Sequence, residues 1–189
     1  VVQSARERSE LWIRAPGGDA PDRRLLDHQG AIPTDWSSDG RWIVFQEENP
    51  RTQNDIWAVP ATGEGAPTAL VQTPFDESQA QFSPDGRWVA YQSNESGQFE
   101  IDVVPFPQPN AKFQISTGGG AQPRWRRDGR ELFYVAPDGR LMAVPIHTGA
   151  STLEADAPVP LFQTRIPNGT AFIKQQYAVA SDGRFLLNN

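Results

Sequence analysis

Two histidines are the first candidates for chemistry in this chain of 189 residues. His28 and His147 could act as general bases or metal ligands, but the chain has no third histidine, no cysteine and no H-E-x-x-H motif to complete a zinc site. No G-x-S-x-G sequence occurs, which removes the nucleophile elbow of many serine hydrolases. We expect both histidines to be loop residues, and we predict no catalytic residue and no metal site.

Adjacent acidic residues and a glycine run are the next candidates. Glu47 with Glu48, and Asp76 with Glu77, are neighbours in sequence, so their side chains diverge and are expected to be solvated rather than to share a substrate. The run Gly118-Gly119-Gly120 lacks the lysine and the helix of a phosphate-binding loop and is expected to be a flexible link. The sequence therefore predicts no cofactor.

Six polar residues stand at fixed distances before a recurring Asp-Gly pair, and they are the candidate ligand-binding residues. Each lies four or six positions before the aspartate, which places all of them on one face of a strand. They are Asp35, Gln79, Gln81, Gln122, Arg124 and Gln176. A surface of amides with one acid and one arginine could bind a polar ligand, or it could hold only ordered water.

A sequence repeat must position these residues. The run Ser83-Pro84-Asp85-Gly86-Arg87 recurs in diluted form, and its aspartates at 39, 85, 128 and 182 are separated by 46, 43 and 54 residues. This spacing is close to the length of one four-stranded propeller blade. Asp-Gly between apolar runs predicts a β-hairpin with a type I′ turn.

Apolar residues flank each of these turns at matching distances. A large side chain three positions before the aspartate, as at Trp36, Phe82 and Trp125, is predicted to be nearly buried between adjacent blades. Residues four and six positions after the aspartate lie on one face of the second strand, because side chains alternate between faces. In the last copy this pattern predicts that Leu186 and Asn188 lie on that face.

Later segments of each repeat supply the third and fourth strands. Asp55-Ile56-Trp57-Ala58-Val59-Pro60 has the pattern of a third strand that ends at a proline. Fourth strands are predicted at 69–72, 112–115 and 160–163, and Asp138-Gly139-Arg140 is predicted to join the second and third strands of the third blade. The resulting blades are about 31–74, 75–120 and 121–166.

The two ends of the chain resemble complementary halves of a blade. Leu11-Trp12-Ile13 matches a third strand, so residues 1–30 are assigned to a half blade, and residues 167–189 supply first and second strands only. One hypothesis is an all-β propeller of about four blades, one of them assembled from both termini, because closure removes exposed sheet edges. The other is that the chain is part of a larger propeller and associates through those edges.

Charge and hydropathy restrict the class of partner. The net charge of −6 gives a nucleic acid no general electrostatic attraction, and the arginines between 124 and 130 are expected to be solvated around Trp125. The sequence contains no run of 18 apolar residues, so no segment is predicted to insert in a membrane. We expect no binding of nucleic acid and a monomer if the ring closes, otherwise self-association.

The run SPDGRWVAYQSNESG at 83–97, followed by EIDVVPFP at 100–107, resembles the bacterial WD-like repeats of the TolB type. Residues 114–146 and 177–189 look like the C-terminal propellers of some bacterial transmembrane serine/threonine kinases. The resemblance implies an extracytoplasmic, periplasmic or secreted, module that binds a protein or a small ligand. No kinase domain is present in the sequence, so a kinase-linked role would belong to a longer parent chain.

Two classes of function follow. The first is a noncatalytic binding or scaffold propeller for a protein, peptide or small polar ligand, with the loops 94–97 and 107–110 contributing to recognition. The alternative is an accessory or catalytic propeller of a carbohydrate- or peptide-processing enzyme.

Overall fold

The structure, a computed structural model, describes residues 11–14, 17, 21–26, 30–149, 151–166 and 175–188. His28 and much of the predicted half blades at 1–30 and 167–189 lie outside these ranges. No helix in the described ranges is long and apolar enough to cross a membrane. The strands, in chain order, are β1 (Leu11–Ile13), β2 (Arg23–Leu26), β3 (Ile32–Trp36), β4 (Trp42–Asn49), β5 (Gln53–Pro60), β6 (Thr68–Val71), β7 (Glu77–Phe82), β8 (Trp88–Ser93), β9 (Glu100–Pro105), β10 (Phe113–Gln114), β11 (Ala121–Trp125), β12 (Glu131–Val135), β13 (Arg140–Thr148), β14 (Leu153–Ala155), β15 (Val159–Gln163), β16 (Tyr177–Val179) and β17 (Phe185–Leu187).

Three antiparallel sheets of the blade type follow one another along the chain. The first blade is β3-β4-β5-β6 and the second is β7-β8-β9-β10. The third is β11-β12-β13-β15, with the short β14 paired to the far end of β13. The prediction of an all-β fold with four-stranded antiparallel blades is confirmed. The turn at Asp138 joins β12 and β13, as its sequence indicates.

The ends of the chain form two separate two-stranded sheets. The N-terminal half-sheet (β1 with β2) packs on the first blade through Leu11 and Leu26, and the C-terminal half-sheet (β16 with β17) packs on the third blade through Tyr177. Among the described residues no strand pairing joins the two half-sheets, and residues 1–10 and 167–174 of the predicted half blades lie outside the described ranges.

The Asp-Gly-Arg turns contain a type I turn, which corrects the predicted type I′ turn. In the second blade the Gly86 N–H donates to the Ser83 carbonyl, and only the glycine of this turn has a positive φ, +69°. The Asp85 carboxylate accepts from the Ser83 hydroxyl at 2.6 Å and from the Arg87 N–H at 3.1 Å. The aspartate is therefore needed as an acceptor, a role that requires no left-handed backbone.

The turn at Asp182 is one residue tighter than the turn in the second blade. The backbone hydrogen bond that closes it spans four residues instead of five. A shift of one residue moves every side chain of a strand to the opposite face. Phe185 and Leu187 therefore pack on the third blade, in place of the predicted Leu186 and Asn188, and Leu186 is 75% exposed.

The cores between blades contain two of the three predicted aromatic residues. Phe82 packs between the first and second blades and Trp125 between the second and third, and both are buried. Trp36 is 48% exposed, which contradicts its predicted burial. Trp125 packs against the first strand of the preceding blade, where its indole N–H donates to the Gln81 carbonyl. In the part of the chain that the structure describes, the sheet before Trp36 consists of β1 and β2, and it presents no first strand comparable to β7.

Candidate functional site

Hydrogen bonds connect the first strands of three successive blades. The Arg124 guanidinium on β11 donates from Nη1 to Gln81 Oε1 on β7 at 2.8 Å. The Gln81 amide donates from Nε2 to the Thr34 carbonyl on β3, also at 2.8 Å. Since Gln81 is buried and Arg124 is half-buried, the structure joins two of the predicted site residues in a largely desolvated contact.

Asp35 adds an acid to this contact. Its carboxylate accepts a hydrogen bond from the Phe82 N–H at 2.8 Å. Burial raises the pKa of Asp35, while the Phe82 N–H and the nearby Arg124 guanidinium act in the opposite direction. Asp35, Gln81 and Arg124 are called the inner cluster below.

The other three predicted site residues connect neighbouring blades. Gln79 and Gln122 are buried at strand bulges, with φ of +61° and +59°. The Gln79 N–H donates to Gln46 Oε1 at 3.1 Å, and the Gln122 N–H donates to Gln92 Oε1 at 2.9 Å. Gln122 Oε1 in turn accepts from the Gln176 N–H at 2.6 Å. These contacts satisfy buried backbone donors inside the protein, and they are called the interblade brackets below.

Two residues of the interblade brackets, Gln46 and Gln92, were not predicted from the sequence. Gln46 and Gln92 both stand seven positions after the aspartate of their turn, on the second strand of their blade. That common spacing was visible in the sequence. The third repeat has Val135 at this position, and there Gln122 supplies the side-chain oxygen that accepts the hydrogen bond from the Gln176 N–H.

Buried acids form a second group of titratable side chains. Glu77, predicted to be solvated, is buried because it begins the inner strand β7. Burial raises the pKa of Glu77 to about 7, opposed by hydrogen bonds from the Thr73 hydroxyl and N–H and assisted by the charges of Asp55 and Asp76. Burial likewise raises the pKa of Asp102 to about 6.

Replacement of Glu77 by glutamine should reduce the dependence of stability on pH. The folded protein keeps the Glu77 proton up to about pH 7, whereas an unfolded chain loses it near the ordinary value of 4.5. The native state therefore binds more protons between these values, and the free energy of unfolding falls as pH rises through this window. Glu77→Gln should flatten this slope in denaturant titrations at pH 5, 6, 7 and 8.

Glu64→Gln is the matched control for this measurement, because Glu64 is an exposed acid. It should leave the slope unchanged. Equal slopes for wild type and Glu77→Gln would show that Glu77 is ionised in the folded protein.

His147 and the exposed arginines between 126 and 130 are the remaining candidates among the described residues. His147 is exposed, with Nε2 at 3.1 Å from Asp156 Oδ2. Arg126 pairs with Glu131 at 2.7 Å, so part of the positive charge between 124 and 130 is balanced locally. In the part of the chain that the structure describes, no three potential ligands converge to hold a metal ion.

The predicted recognition loops border a cavity. A space of about 470 Å³ lies between the outer strands of the first and second blades, and Glu95, Pro109 and Asn110 contribute to its lining. These residues belong to the loops 94–97 and 107–110. Glu77 and Lys112 also line it, and the ion pair of Lys112 with Glu95 gives the cavity charge of both signs.

The chain is similar in structure to known β-propeller proteins. It matches a putative TolB from Agrobacterium tumefaciens (TM-score 0.62, 18% identity, 81% of this chain and 58% of that chain) and TolB from Acinetobacter baumannii (0.58, 16%, 90% and 45%). It also matches a puromycin-hydrolyzing peptidase of Mycobacterium tuberculosis (0.59, 20%, 95% and 35%). No family model and no curated protein sequence matches the chain.

These likenesses establish the β-propeller fold, and their low identity carries no residue-level correspondence. The chain spans about half the length of the two TolB proteins that it matches. Two of the similar proteins are named as TolB and one is named as a peptidase. The architecture alone therefore does not identify a function.

Proposed function

We propose that the chain is a noncatalytic binding propeller that recognises a peptide segment of a partner protein at the inner cluster. The observation that carries this proposal is the hydrogen-bonded path from Arg124 through Gln81 to the first blade. It holds a guanidinium in a fixed position where the first strands of three blades meet. Propellers commonly bind ligands at this central region.

The chemistry of the inner cluster favours an acceptor group on the ligand. Only Nη1 of the Arg124 guanidinium has a hydrogen bond within the described residues, and Nε is buried with no partner there. A guanidinium has five N–H donors, which match a carboxylate or main-chain carbonyls. Asp35 beside it provides an acceptor for a ligand N–H. A peptide offers both kinds of group.

The resemblance to TolB-type propellers supports a binding role and an extracytoplasmic location for this chain. The resemblance to kinase-linked propellers supports a sensor role within a larger signalling protein. The cavity beside loops 94–97 and 107–110 offers additional contact area for a protein partner. Both roles are proposals for the whole protein, since the chain spans about half of the similar TolB structures.

Peptide selection tests this function. A phage-displayed random peptide library is selected on the immobilised chain, and affinities of enriched peptides are measured by calorimetry for the wild type and Arg124→Gln. A charge-assisted hydrogen bond contributes about 1.5–3 kcal/mol, so Arg124→Gln should weaken binding by about tenfold or more.

Arg127→Gln is the matched control, because Arg127 is an exposed arginine of the same segment. It should bind the peptides as the wild type does. Peptides that bind the wild type and Arg124→Gln equally would place the site elsewhere, and a failure to enrich any peptide would contradict the proposed function.

A further inference from the structure

The cavity beside loops 94–97 and 107–110 is lined by a buried tyrosine whose hydroxyl has no hydrogen bond. Tyr91 on β8 is 1% exposed and contributes to the lining of the cavity. Within the part of the chain that the structure describes, its hydroxyl neither donates nor accepts a hydrogen bond. Buried polar groups in folded proteins are nearly always paired, with protein, water or a ligand. The partner of this hydroxyl is therefore to be sought in the cavity.

Two buried carboxylates lie near this hydroxyl. Asp102 is 5% exposed and stands directly opposite Tyr91 where β8 pairs with β9, so the two side chains share the sheet face toward the first blade. No described residue donates a hydrogen bond to the Asp102 carboxylate. Glu77 lines the cavity itself, and among the described residues its carboxylate accepts hydrogen bonds only from Thr73. The hydroxyl and the two acids thus have capacity to accept further hydrogen bonds.

Negative charge exceeds positive charge around the cavity. Burial is the largest cause that raises the pKa values of Glu77 and Asp102, to about 7 and about 6, and neighbouring carboxylates raise both further. Among the described lining residues Lys112 is the one base, and its ammonium contacts Glu95 rather than either buried acid. A buried charge is stabilised when an opposite charge pairs with it. A cation in the cavity would therefore supply the pairing that Glu77 and Asp102 lack.

The size and the walls of the cavity determine the form of this cation. Its volume of about 470 Å³ is within the range of about 300–1,000 Å³ that is usual for pockets of small ligands. Leu70, Val71 and Val104 form an apolar wall, which suits a hydrocarbon stem. In the described ranges no three potential ligands converge on a metal ion, which favours an organic cation. A primary ammonium has three N–H donors, and the tyrosine and the two acids provide acceptors in the same number.

We propose that this cavity binds a primary alkylammonium group, as carried by a lysine side chain or by a free alkylamine. The hydrocarbon stem lies along the apolar wall. The ammonium donates hydrogen bonds to the Tyr91 hydroxyl and to the carboxylates of Asp102 and Glu77. The site is separate from the inner cluster, and this inference goes beyond the proposed function and does not rest on it.

An NMR titration of the isotope-labelled chain tests this site. The probe is N-acetyl-lysine-N-methylamide at up to millimolar concentrations, because so small a ligand binds weakly. It should shift amide signals of β6, β8 and β9. N-acetyl-norleucine-N-methylamide has the same stem without the ammonium and should bind at least tenfold more weakly. Butylamine distinguishes the two sources: equal affinity indicates a free amine, and tighter binding of the lysine derivative indicates a lysine in a polypeptide. Equal affinities of the lysine and norleucine derivatives, shifts confined to the third blade, or no shifts would overturn the proposal.

Variants of the acceptor groups provide an independent test. Asp102→Asn should weaken binding of the lysine derivative about tenfold or more, because a charge-assisted hydrogen bond is lost. Tyr91→Phe should weaken it about threefold. This variant removes a hydroxyl without a hydrogen bond in the described structure, so it should fold as the wild type does and serves as the test if Asp102→Asn is unstable. Glu154→Gln is the matched control, since Glu154 is an exposed acid on β14, and it should bind as the wild type does. Wild-type affinity in folded Asp102→Asn, or in Tyr91→Phe, would contradict the site.

Discussion

Phe82→Ala should destabilise the protein by about 3–5 kcal/mol, the usual cost of removing a buried aromatic side chain. Phe82 is 5% exposed in the core between the first and second blades, and its ring makes an edge contact with Phe106 at a centroid distance of 5.1 Å. Truncation removes this contact and leaves a cavity that two sheets cannot close. Since a typical domain has a free energy of unfolding of about 5–15 kcal/mol, a large part of the stability would be lost.

Denaturant titration with a conservative control measures this effect. Phe82→Leu keeps most of the buried apolar volume, so its cost should be well below that of the alanine variant. A loss below about 1 kcal/mol for Phe82→Ala would contradict the packing of β7 against the first blade.

Gly119→Ala should destabilise the protein by about 2–4 kcal/mol, from left-handed backbone and overpacking together. Gly119 has φ of +90°, and an added Cβ would lie 2.3 Å from Pro137 Cγ. Its N–H donates to the buried Glu100 carboxylate at 2.8 Å, so the segment is held in place. The glycine run is therefore a closely packed segment that leads into the third blade, which corrects the prediction of a flexible link.

Gly118→Ala is the matched control within the same run. Gly118 has no positive φ, and an added Cβ there would meet no atom within 4 Å. Thermal melting should leave Gly118→Ala near the wild type and lower the melting temperature of Gly119→Ala by several degrees. Equal melting temperatures would mean that Pro137 moves aside without cost.

The blade architecture could be predicted because its signals are local. The Asp-Gly-Arg turns and the alternation around Phe82 and Trp125 depend on residues within one hairpin. The exposure of Trp36 could not be predicted, since it depends on which strand types the neighbouring sheet supplies. The strand face on which Leu186 lies was predicted wrongly, because a hairpin that is one residue tighter has nearly the same sequence.

The candidate site was only partly accessible from the sequence. Counting back from the aspartates found Asp35, Gln81 and Arg124, which the structure brings together. The same count could not reveal that Gln79 and Gln122 turn their backbone N–H groups toward another blade. A bulge within each strand separates them from the regular alternation on which the count relies.

The interblade brackets have a consequence for how such chains diversify. At the brackets of Gln46 and Gln92 the accepting group is an amide side chain, but the donating group is a main-chain N–H, which every residue except proline possesses. The backbone hydrogen bonds that close each Asp-Gly-Arg turn likewise lie within its own hairpin. A duplicated repeat therefore brings its own turn and its own acceptor amide, and this amide requires only a main-chain N–H from the repeat that follows it. Mutation can then alter the inner surface of one repeat while its attachment to the next is preserved.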